Sequence, residues 1–143
     1  MDEQVLRDNF ERALKVHNDG TGQLFLDSLM NFDFQYLEEA EKVKITVPVT
    51  DIMFNPVGFI HGGIYSYIAD TAMGHLCAAF GEKPSVTLEL KTQFFRTTRE
   101  GEIHATAYFL KKGRNVQFVE CLLEDEKGKL LGKVTATFYS MGE

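Results

Sequence analysis

The stretch NPVGFIHGGIYSYIADTAMGHLCAAF, Asn55 to Phe80, decides the architecture. It opens on a turn-forming run, Asn55-Pro56-Val57-Gly58, passes through His61-Gly62-Gly63, and continues as an apolar run of helical length. From Ile52 to Gly81 the only Asp, Glu, Lys or Arg is Asp70, so a helix over 62–80 is apolar on nearly every side and belongs inside the molecule. Such a helix needs a wrapping surface, which the flanking sequence supplies.

On the C-terminal side the apolar residues alternate with polar ones: Leu88, Leu90, Thr92, Phe94; Ile103, Ala105, Ala107, Phe109; Gln117, Val119, Cys121, Leu123; Val134, Ala136, Phe138. Turns at Arg99-Glu100-Gly101, Lys111-Lys112-Gly113 and Glu126-Lys127-Gly128 are short, which predicts antiparallel hairpins. On the N-terminal side, Met30, Phe32, Phe34 and Tyr36, then Val43, Ile45, Val47 and Val49, read as two more strands around the turn Glu38 to Glu41. Val5, Leu6, Phe10, Ala13 and Leu14 lie among charged neighbours before Asn18-Asp19-Gly20, an amphipathic helix within residues 1–20 that acts as a lid or packing element. The order implies an α+β domain over 1–143, one curved antiparallel sheet packed on one long central helix with an extra N-terminal helix.

Composition agrees with a single domain. At 143 residues the chain can bury a core without staples, and 44% hydrophobic with 25% charged residues excludes a disordered or fibrous chain. The net charge of −6, without a basic stripe, argues against nucleic acid. No leader-like start and no run of about 18 apolar residues argue against export and against a membrane span. Cys77 and Cys121 have neither metal-ligand nor redox spacing and read as buried thiols in a reducing compartment, hence a cytoplasmic protein.

The chemistry concentrates where the helix begins. Gly62 and Gly63 at its first turn present backbone N–H groups and a partial positive charge, which suits an oxyanion; the same pair also serves simply as a tight turn or a close helix–sheet contact. Asp70 is a carboxylate in an uncharged helical run, costly to bury unless paired or wetted, so it is either a structural anchor or a reactive group. Its helical stripe, Gly63, Ser66, Asp70, Gly74 and Cys77, is made of small residues, which admits a second backbone or a ligand. Gly62 and Asp70 are separated by roughly 12 Å of helix axis, too far to act on one carbonyl from one chain. If both act together, the carboxylate comes from a second copy, with two equivalent sites in a two-fold dimer. His61 could be a base, a ligand or an orienting group; with no second ligand at metal spacing, a loop-locking hydrogen bond is favoured and no metal or other cofactor is expected. Asn55 either caps the loop or holds water or substrate through its amide. His75 reads as a satisfied core histidine.

The string Asn55 to Gly63 followed by Ala69-Asp70-Thr71-Ala72, continued by Val86 to Leu90, Phe94, Arg96, Gly101 and Lys112-Gly113-Arg114, resembles the hotdog-fold acyl-CoA thioesterases, in the branch of the phenylacetate-pathway enzyme and thioesterase superfamily member 2. The resemblance implies a long helix wrapped by an antiparallel sheet, hydrolysis of an acyl-CoA, and a homodimer as minimal unit within a homotetramer. It implies Asp70 as general base or nucleophile, the Gly62 N–H as the carbonyl-polarising donor, Asn55 positioning water and His61 supporting the loop. Gly63 would line the substrate and Thr87 would stand where close relatives carry a serine. The CoA phosphates would want cations near the site, for which Lys111, Lys112 and Arg114 are candidates; the same three residues also read simply as a solvated turn. A thioester carbonyl lacks the resonance stabilisation of an oxyester, so one carboxylate and one helix terminus suffice without a serine triad, for which no G-x-S-x-G is present. The resemblance leaves two other hotdog activities as alternatives: a dehydratase, which wants a histidine and an acid across the acyl β-carbon, a pattern the helical Asp70 does not resemble, and a non-catalytic acyl-CoA-sensing module, which usually brings a partner domain.

Overall fold

A computed structural model describes residues 1–142. Helix α1 (Glu3–Asn18) starts where the Asp2 carboxylate accepts the N–H groups of Gln4 and Val5. Helix α2 (Phe25–Leu29) packs on it, with the Phe10 and Phe25 rings edge to face at 5.7 Å. The long helix α3 (Gly62–Phe80) follows a hairpin of β1 (Asp33–Leu37) and β2 (Lys42–Pro48) and precedes β3 (Ser85–Phe94), β4 (Glu102–Lys112), β5 (Val116–Asp125) and β6 (Leu130–Ser140). All pairings are antiparallel and the order across the sheet is β1-β2-β4-β5-β6-β3. The sheet curves around α3, the hotdog architecture, and α3 spans the bounds read from its apolar run.

Two expectations need correction. Met30 does not begin a strand. It ends α2, a helix of one turn too short to leave a periodicity, and Asn31 then takes a positive φ of 58°, so the ladder begins only at Asp33. The alternation Leu88, Leu90, Thr92, Phe94 is broken by a bulge between Thr87 and Glu89, which leaves Leu88 out of the ladder and 60% exposed. Ser85 and Thr87 thereby join Leu90, Thr92 and Phe94 on one face.

The core is the interface of helix and sheet: Ile68, Ala69, Ala72, Met73 and Leu76 meet Val43, Ile45, Val47, Ile103, Val119, Leu123, Val134 and Phe138. Ala105 and Ala107 of β4 lie in the same buried layer as Ala69 and Ala72 of α3, and side chains this small let helix and sheet approach closely. Cys77 and Cys121 are buried and free, and burial raises both thiols, Cys77 to about 11. Leu76→Ala is expected to cost about 2–5 kcal/mol by the cavity it leaves in this fully buried layer, read as a lowered midpoint in denaturant melts.

Candidate active site

The loop that leads into α3 is held by its own residues. Asn55 Oδ1 accepts the N–H groups of Val57 and Phe59 at 3.1 Å each, and the Asn55 N–H donates to the Phe59 carbonyl at 2.7 Å. Gly58 closes the turn at a φ of 85°, which glycine adopts without strain. The Asn55 carbonyl-type oxygen is thus engaged in the loop, while its NH₂ has no partner among the described residues. The His61 N–H donates to the Met53 carbonyl at 2.8 Å, anchoring the end of the loop under the start of α3.

His61 is the N-cap of α3, and its Nδ1 accepts the Gly63 N–H at 3.0 Å. That bond fixes the imidazole with Nδ1 as acceptor, and it occupies one of the two glycine donors. The Gly62 N–H has no partner among the described residues and is left at the positive end of a 19-residue helix. A Cβ on Gly62 would stand 3.1 Å from the Phe94 ring, so glycine here also makes room for that aromatic. Phe94, Phe59, Ile60 and Tyr65 border a groove of about 350 Å³ directly beside the free donor, with Arg96 at its edge.

Asp70 lies two turns further along. The Thr87 hydroxyl donates to its Oδ1 at 2.7 Å, and Ser66 meets the Thr92 hydroxyl at 2.9 Å. These hydroxyl contacts run antiparallel along α3 and β3, so the bulge at Leu88 is what brings Thr87 under the carboxylate. Asp70 is half-buried and has no cation partner among the described residues. β3 is an edge strand, with Val86, Leu90, Phe94 and neighbouring Phe95 all well exposed.

Lys112 and Arg114 stand elsewhere. They sit on the β4–β5 turn at the C-terminal end of α3, around a cavity of about 470 Å³ shared with Lys83, Gln117 and Ser140. Lys112 pairs with Glu41 at 3.0 Å and lies over the Phe109 ring, and Arg114 has no ion pair among the described residues. Gly113 is required between them, since a Cβ would come within 2.4 Å of the Val116 carbonyl oxygen. Within one chain, therefore, Asn55, His61, Gly62 and Gly63 form one cluster, Asp70 and Thr87 a second, Lys112 and Arg114 a third. Lys83 is a cation that sequence reasoning missed; it lies outside any motif and is brought to the third cluster only by the fold. His75 is bonded through Nδ1 to the Tyr36 hydroxyl at 2.7 Å and stacked on Phe34.

Fold and loop define a hotdog domain whose central helix offers one free N-terminal donor and one mid-helix carboxylate. The thioesterase superfamily profile matches residues 57–131, and the chain belongs to that family, which places it in broad class among thioester hydrolases. It is 30% identical over 121 residues to the 1,4-dihydroxy-2-naphthoyl-CoA hydrolase of Escherichia coli K12, covering 82% of this chain and 85% of that protein. The enzyme of that name from Listeria monocytogenes is 28% identical over 95 residues, covering 65% of this chain and 77% of that one. Among solved structures, the BH2602 protein of Bacillus halodurans with CoA superposes with a TM-score of 0.86 at 21% identity, over 100% of this chain and 97% of that one. A thioesterase of Haemophilus influenzae superposes at 0.76 with 22% identity, over 93% and 90% of the two chains. No helix among the described residues is long and apolar enough to cross a membrane.

Proposed function

We propose that the protein hydrolyses an acyl-CoA to the free acid and CoA at a site shared by two copies of the chain. The observation that carries the reading is the separation, along one helix, of a free N-terminal donor from an unpaired carboxylate, with the intervening helix face and the β3 edge left open. The thioester oxygen accepts the Gly62 N–H, which with the helix dipole stabilises the oxyanion as the carbonyl carbon becomes tetrahedral. Asp70 of the second copy, oriented by the Thr87 hydroxyl, attacks the carbonyl itself or takes the proton of the attacking water. The C–S bond then breaks and the thiolate leaves as CoA, taking up a proton; where Asp70 is the nucleophile, water next hydrolyses the acyl–aspartyl anhydride to the free acid and restores the carboxylate, and where it is the base the acid is released directly. Asn55 and His61 hold the loop that aims the donor, and the Asn55 NH₂ is free to meet water; Gly63 supports the site through its bond to His61 while bordering the substrate.

The unpaired β3 edge and its exposed apolar side chains suit pairing with the same strand of a second chain about a two-fold axis, which sets the two α3 helices side by side. A cytoplasmic homotetramer of such dimers is the assembly the family resemblance implies. Lys83, Lys112 and Arg114 supply the positive charge that the CoA phosphates need. The relatives that act on dihydroxynaphthoyl-CoA make aryl-CoAs the first substrates to try.

The test is free-thiol release from a panel of aryl- and fatty-acyl-CoAs by the purified protein. Turnover of any member supports the reading. Binding of CoA esters without release of thiol would make the chain a sensing module instead. Arg114→Gln is expected to raise KM about 3- to 10-fold with kcat unchanged, because a phosphate contact remote from the carbonyl is the same in ground and transition states. A fall in kcat at constant KM would remove Arg114 from substrate binding.

A further inference from the structure

Between the α1–α2 unit and α3 lies a cavity of about 610 Å³ that the hydrolytic reading does not use. At its base is Asp27, only 5% exposed. Its Oδ1 accepts the Tyr67 hydroxyl at 2.7 Å, while Oδ2 has no partner among the described residues. Burial raises this carboxyl above the ordinary range, opposed by the Tyr67 bond and by the nearby His75. That second oxygen is open to the cavity, where a donor on a bound molecule can reach it. The wall beside it is aromatic: Phe34 is stacked on His75 at 4.3 Å between centroids, and Tyr36 is bonded to the same imidazole.

Nearer the surface the cavity is lined by Arg12. Its guanidinium donates to Asn9 Oδ1 at 3.1 Å, to the Ser28 carbonyl at 2.9 Å and to Asn31 Oδ1, which among the described residues leaves two of its five N–H bonds free. Those partners are all neutral, so the cation is held rigidly in place without being neutralised. Asn31 is itself in the left-handed region, and the loop closing the mouth, Thr21 to Leu24, contains Gly22 at a φ of 86°. A carboxylate oxygen open to the cavity at the base, a flat aromatic wall and a fixed guanidinium at the mouth are three complementary features in one enclosure.

We infer that this cavity is a second small-molecule site, separate from the thioester site, which takes an aryl carboxylic acid bearing a hydrogen-bond donor at the far end of its ring. The acid meets Arg12, the ring lies against Phe34 and His75, and the donor bonds the free oxygen of Asp27. The inference does not depend on hydrolysis, which thiol release reads separately.

Calorimetric titration with 4-hydroxyphenylacetate tests it, with phenylacetate and 4-methylphenol as probes that lack the donor and the acid respectively. One equivalent should bind per chain, and each truncated probe should bind about tenfold or more weakly, as expected for loss of one charge-assisted contact. Asp27→Asn and Arg12→Gln should each weaken 4-hydroxyphenylacetate by a similar factor, and Asp70→Asn should leave its affinity unchanged. If Asp27→Asn fails to fold, Arg12→Gln on the exposed face of α1 decides alone. Absence of binding at millimolar probe overturns the inference. So does binding that survives Arg12→Gln but is lost in Asp70→Asn, which would place the acid at the thioester site.

Discussion

Asp70→Asn is expected to lower kcat by about 10²-fold or more, the usual loss when a general base or nucleophile is removed. The substitution isolates chemistry from structure, because an asparagine oxygen can still accept the Thr87 hydroxyl that now reaches Oδ1 at 2.7 Å. Side-chain volume is nearly unchanged, and among the described residues the half-buried site holds no cation partner that the lost charge would strand. The melting temperature should therefore stay near wild type while thiol release collapses. Retention of more than about a tenth of the rate would return Asp70 to a purely structural role at the helix–strand contact. A large drop in melting temperature alongside the lost activity would point the same way.

The second prediction removes the donor rather than the base. Gly62→Pro deletes the N–H at the first position of α3, where proline is well tolerated, and His61 before it already has φ −62° and ψ 132°, the extended conformation that a following proline demands. No bond within the described residues is lost. The proline ring does meet Phe94, but the far end of an exposed side chain can yield. kcat should fall roughly 10²- to 10³-fold, the range for loss of one oxyanion donor. Together the two variants also test the shared site. In a mixed dimer of Asp70→Asn with Gly62→Pro, one site carries both lesions and the other neither, so co-expression should restore about a quarter of the wild-type rate. A mixture as inactive as its components would mean that donor and carboxylate do not meet across copies.

Much of the fold is legible in the sequence for one physical reason: a helix uncharged on nearly all sides can exist only if something wraps it, and the alternating segments on both flanks are the wrapper. The limits of α3 follow from Gly62 and Gly81, and the hairpins from short Gly-containing turns. What escaped is what periodicity cannot carry. Helix α2 is five residues long, less than two turns, and Asn31 ends it by a backbone conformation that a non-glycine residue does not announce. The bulge at Leu88 is invisible because the flanking residues alternate well in either phase. At the site, the loop cluster could be read because Asn55, His61, Gly62 and Gly63 are close in sequence, and Asp70 because its charge stands alone. Asp27 and Arg12 could not, since each sits in a segment where charge is ordinary, and only the bond from Tyr67 of α3 to Asp27 of α2 holds one of them inward.

The surplus residue in β3 works as a phase shift. With uniform alternation the strand would show α3 the apolar side chains of Val86, Leu88 and Leu90 along its first half, setting hydrocarbon against the Asp70 carboxylate. By dropping one residue from the count, the strand changes lining midway: aromatic and aliphatic beside the helix N-terminus, hydroxyl-bearing beside the acid. One edge strand can thus serve two chemically different stretches of the same helix, and the position of a single leucine determines where one gives way to the other.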